Sequence, residues 1–87
     1  MTNYFHLPSS ALEILGGVLT PRIWAYPQIL DATTFWHAEC AWCSQVVQFE
    51  LSETAARQKA ARHQHEHRAE ILAGSIRFIP AEKVFVL

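Results

Sequence analysis

Four residues in this chain have the types and the spacing to do inorganic chemistry. Cys40 and Cys43 flank Ala41-Trp42, and after a gap of nineteen residues come His63 and, four positions on, His67. Two thiolates balance the double charge of a zinc ion, and two neutral imidazoles complete a tetrahedral shell. A shell closed by four protein ligands leaves no position for a reactive water, so the metal it implies is structural. Two neighbouring histidines widen the choice of ligands: His37, three residues before Cys40, and His65, between the helix pair, can each stand in for His63 or His67. A redox reading of Cys-x-x-Cys needs a helix starting just after the first cysteine, to lower its pKa. A β-like run follows here instead.

The elements around these residues are those a closed site needs. Thr33 to Glu39 is rich in β-formers and reads as a strand running into Cys40. After the cysteine turn, Gln45–Leu51 alternates from Val47 onward, which predicts a second strand with Val47, Phe49 and Leu51 on one face. Ser44 stands where a tight metal-binding turn often has glycine. Ser52 or Thr54 then caps a helix rich in strong helix formers that runs to about Leu72, with Gly74 as its stop. His63 and His67 lie one turn apart on it, sharing a face with Ala56, Ala60 and Ile71. The two alanines let that face lie close against the hairpin, while His65 is rotated away.

The flanks are harder to read. Asn3–Leu7 suits a short strand, and Pro8-Ser9-Ser10 can start a short helix carrying Leu12, Ile14 and Leu15 that Gly16-Gly17 ends. Pro21 and Pro27 bracket an extended or looping stretch with Trp24 and Tyr26. At the other end, Ser75–Ile79 and Lys83–Leu87 are β-like runs on either side of Pro80, able to join the hairpin or make a ribbon of their own. The expected fold is a small zinc-stapled α+β domain: a β-hairpin and one main α-helix (ββα), a short N-terminal helix or loop, and a C-terminal β segment. Residues 1–87 make one domain, with its core at 33–72, an N-terminal extension at 1–32 and a C-terminal one at 73–87.

Composition limits the function classes. At 87 residues the core is near the lower limit for independent stability, contributing only about 3–5 kcal/mol net in chains this short. Hydrophobic residues make up 51% and charged ones 17%, which excludes a disordered chain; the net charge of -1 excludes a global basic field for nucleic acid. Three Trp, two Tyr and five Phe are many rings for so few charges. Trp24 and Tyr26 can serve simply to cover the core; the residues that suit a partner-facing surface are Trp24, Tyr26, Trp42 and His65. No apolar run is long enough to span a membrane, and the start lacks the basic stretch of a secretory signal. Paired cysteines among histidines suit a reducing compartment, so the expected location is cytoplasmic.

With Cys40, Cys43, His63 and His67 in a strand–turn–strand–helix frame, residues 33–72 resemble the C2H2 (ββα) zinc-finger family. The likeness is to the long-linker single fingers of small bacterial and bacteriophage proteins. It implies that these four residues bind zinc. A fainter resemblance, to zinc-binding anti-sigma factors, rests on His37 before Cys-x-x-Cys, one residue short of their usual spacing. A DNA-reading role carries over poorly: there is one finger, and Glu53, Thr54, Arg57 and Gln58 near the helix start are of mixed charge. The expected function is therefore a non-enzymatic zinc-binding protein-interaction module, with a phage-type inhibitor or modulator of a host complex as what the resemblance suggests. The alternative is a single-finger nucleic-acid-binding transcription regulator using Arg57, Lys59, Arg62 and Arg68. Homo-oligomers through an apolar strand edge are a further option.

Overall fold

The hairpin around the cysteines belongs to a larger sheet. A computed structural model describes residues 1–82, so Lys83–Leu87, read above as a β-like run, lies outside the described residues. In chain order the elements are β1 (Asn3–Leu7), a single 3-10 turn at Ser9–Ala11, β2 (Leu12–Leu15), β3 (Val18–Pro21), β4 (Ile23–Leu30), β5 (Thr33–Cys40), β6 (Ser44–Glu50), α1 (Glu53–Leu72) and β7 (Ile76–Pro80). The chain is α+β, as expected, but with more strands among the described residues than a hairpin and helix require. It divides into two compact units, Ile23–His63 and Met1–Arg22 with the chain from Gln64 onward; the boundary falls within α1.

In the Ile23–His63 unit, β4, β5 and β6 form an antiparallel sheet in that order. β4 and β5 meet at Asp31-Ala32, both with positive φ (50° and 62°), as a two-residue hairpin turn requires. Pro27 sits within β4 opposite Trp36, tolerable because β4 is an edge strand with one side free of ladder hydrogen bonds. Alternation sends Ile23, Ala25, Trp36 and Ala38 to one face, against the first turns of α1. The buried core there is Ala38, Val47, Ala56 and Ala60, and its small side chains let helix and sheet approach closely. Lys59 pairs with Glu50, and the Arg57 guanidinium lies 5.8 Å from the centre of the Trp36 ring. Ser52 is the helix cap, its Oγ accepting from the Ala55 N–H at 3.2 Å.

The expectation that Val47, Phe49 and Leu51 share one face fails. Ala38 pairs with Val47 and Trp36 with Glu50, so Gln48 and Phe49 together stand opposite His37. This extra residue is a β-bulge, with Phe49 in the left-handed region at φ 54°. It breaks the alternation: Val47 stays in the core while Phe49 and Leu51 are 56% and 69% exposed.

In the other unit, β1 pairs with β7 in parallel, and β2 with β3 as a hairpin turning at Gly16-Gly17. The expected N-terminal helix is thus one 3-10 turn followed by a strand: Gly16 and Gly17, at φ 56° and 79°, make a hairpin turn and not a helix stop. Among the described residues β7 pairs with β1 and not with the cysteine hairpin, while the run expected to share a ribbon with it, Lys83–Leu87, lies outside them. Leu12, Ile71 and Phe78 are buried here, with Phe5, Leu7, Val18, Leu19 and Ile76 packed around them. Arg68 ties the helix to the hairpin turn, its Nε donating to the Leu15 carbonyl and its Nη2 to that of Gly16, each at 3.2 Å. Thr20, fully buried, donates to the Glu13 carbonyl and accepts from Gln64. Gly74 (φ 81°) ends the helix, its N–H donating to the Ile71 carbonyl.

Candidate metal centre

The β5–β6 connection is a tight knuckle made by the cysteines and the two residues between them. The Trp42 N–H points at Cys40 Sγ, 3.4 Å away, a contact that stabilises sulfur most when it is a thiolate. Ser44 closes the turn at φ 70°, so the position where glycine was anticipated does adopt a glycine-like conformation. Cys40 is buried and Cys43 exposed. His63 faces them from α1, half-buried, and His67 follows one helical turn later, buried.

One potential ligand atom from each of Cys40, Cys43, His63 and His67 lies within 4.8 Å of the other three. With bonds of about 2.0–2.1 Å to nitrogen and ~2.3 Å to sulfur, a tetrahedral shell has edges of roughly 3.3–3.8 Å. These four Cys/His residues can hold a metal ion. On its outer side, Nδ1 of His67 lies 3.5 Å from Glu70 Oε1, and its ring meets Phe78 edge-on at 6.0 Å.

The substitutes for the helix pair are not part of this cluster. His65 is on an exposed side of α1. His37 is three residues from Cys40, so strand alternation puts the two side chains on opposite faces of the sheet. It is buried there, stacked on Tyr26 at 5.5 Å and met edge-on by Phe49 at 5.1 Å. Gln45 Nε2 donates to His37 Nδ1 at 3.0 Å, and Gln48 fixes that amide by donating to Gln45 Oε1. Its Nε2 is buried with no hydrogen-bond partner among the described residues.

Of the residues expected on an interaction surface, Trp24 and Tyr26 share the sheet face that points away from α1. Trp42 is on the cysteine knuckle and His65 on the helix, so neither belongs to that face. Phe35, His37 and Glu39 do belong to it, and period-two counting along β5 finds them. Phe49 joins them only through the bulge, for which the sequence carries no glycine signal. Tyr26 donates to Glu39 Oε1 at 3.2 Å. Burial, and then the hydrogen bond to and charge of Glu39, raise the Tyr26 hydroxyl above its ordinary pKa.

Comparison with protein-family models, curated proteins and solved structures finds no match to this chain. Among those described, no helix is long and apolar enough to cross a membrane.

Proposed function

We propose that this chain is a zinc-stapled protein-interaction module of the C2H2 type, in which Cys40, Cys43, His63 and His67 hold a structural ion. The observation that carries the reading is the convergence of these four donors within 4.8 Å. Two sulfur and two nitrogen donors suit zinc better than the oxygen-seeking cations. When bound, the ion supplies a cross-link between the knuckle and the helix. Four ligands complete its shell, which supports a structural and not a catalytic role.

Protein is favoured over nucleic acid as the partner because three of the four helix cations are engaged. Arg57 is 3.7 Å from Glu53 and lies over Trp36, Lys59 pairs with Glu50, and Arg68 is bound to two carbonyls. Few remain to displace counterions from a phosphate backbone.

Native mass spectrometry before and after chelation, with hydrogen exchange on both samples, tests the staple. One zinc per chain and loss of amide protection across β5, β6 and the first half of α1 on chelation are expected. A metal-free chain with the same protection would refute the proposal.

A further inference from the structure

The sheet face turned away from α1 has an unusual make-up for a surface. Strand alternation and the pairing register place Trp24, Tyr26 and Gln28 of β4 beside Glu39, His37 and Phe35 of β5. Gln45 and the bulged Phe49 of β6 complete it. Trp24 is 43% and Phe49 56% exposed. Phe35 and Phe49 meet edge-to-face at 5.6 Å, and Phe49 also closes on His37. Phe49 reaches this place only by adopting a positive φ that L side chains disfavour. A ring left this exposed returns little burial for that strain, and such strain gathers where a surface serves a ligand.

The charges on the face indicate the ligand. Glu39 is the only ionisable carboxyl or ammonium-type group among these strand side chains. An aromatic platform with one carboxylate attracts a cation: the rings present their negative faces, and Glu39 supplies the counter-charge. Nucleic-acid phosphates meet the opposite arrangement. We infer that this face docks a basic segment of a partner protein, an arginine or lysine lying across Trp24 and Tyr26 with its charge against Glu39. The inference deepens the interaction-module reading by giving the partner's chemistry and the face it occupies.

Titration of the zinc-loaded full chain with the blocked peptide acetyl-(Arg-Gly)3-amide, followed by NMR, tests it. Saturable shifts at Trp24, Tyr26, Phe35, Glu39 and Phe49 are expected, weakening as salt is raised. Binding should fall about two- to fivefold in Glu39→Gln, and by a similar factor in Trp24→Ala. Glutamine keeps an acceptor for Tyr26, and the salt series on the unaltered chain needs no variant at all. The idea is overturned if no shift saturates, if both variants bind as tightly as the parent, or if acetyl-(Glu-Gly)3-amide binds equally well. Tighter binding of a dT12 oligonucleotide on these residues would assign the face to nucleic acid. Concentration-dependent shifts of the same residues without peptide would assign it to a second copy of the chain; either result overturns the proposal. Native mass spectra of the same samples separate the two readings. A chain that carries zinc but ignores the peptide refutes the docking face alone, and one that binds the peptide without zinc refutes the staple alone.

Discussion

Ser44→Gly should stabilise the protein, and the size of the gain follows from one backbone angle. Ser44 closes the cysteine knuckle at φ 70°, where an L side chain costs about 1–2 kcal/mol through its Cβ. Glycine removes that cost but adds freedom to the unfolded chain, worth roughly 0.4–1 kcal/mol. The net gain is about 0.5–1 kcal/mol, which for a domain of this size raises Tm by about 2–8 °C. Ser44 is exposed, so little packing is lost. Differential scanning calorimetry of the parent and variant chains under the same metal conditions measures the effect. The backbone reasoning is wrong if Tm is unchanged or falls while metal content is the same in both chains.

Tyr26 should ionise above the ordinary tyrosine pKa in an ultraviolet titration of tyrosinate absorbance, and Glu39→Gln should move it back down. Because its folded pKa is raised, the stabilisation it brings is complete below the ordinary tyrosine pKa and is lost as pH rises through the folded value. The two glycines of the β2–β3 turn should respond differently to alanine. At Gly16 a Cβ would lie 2.6 Å from Arg68 Nε, whereas at Gly17 it meets nothing within 4 Å. Urea melts should therefore show a loss of about 1–2 kcal/mol for Gly17→Ala from strain alone. Gly16→Ala should lose roughly 1.5–3 kcal/mol more as the Arg68 hydrogen bonds are displaced; equal losses would count against the Arg68 clamp. Phe78→Ala, at the centre of the Leu12–Ile71–Phe78 cluster, should cost about 3–5 kcal/mol in the same assay.

The parts of the structure legible in the sequence are those set by local chemistry. Ser52 and Gly74 delimit the helix, and Ala56, Ala60, His67 and Ile71 recur at its period and are buried. The cysteine and histidine spacings anticipate the donor cluster because both pairs are held by short-range geometry, a turn and a helical repeat. The misread segments depend on something further away. Leu12-Glu13-Ile14-Leu15 satisfies either a helix or a strand, and its pairing with β3 decides. The bulge at Gln48 and Phe49 is a matter of register against β5, and no residue type announces it. Nothing near Asn3–Leu7 or Ile76–Pro80 reveals that these two strands are partners.

That last pairing sets an order on the making of the protein. Asn3 lies beside Ile76 and Leu7 beside Pro80, so β1 must wait for its neighbour while roughly 70 residues are translated, about 4–15 s at ~5–20 residues per second. Ile23–His63 is contiguous and emerges from the ribosome, with both cysteines and the first helix histidine, ahead of β7. During that interval β1 presents an unpaired edge. The parallel pair can therefore form only after every residue of the three-stranded sheet has been made, and until β7 emerges β1 is without its strand.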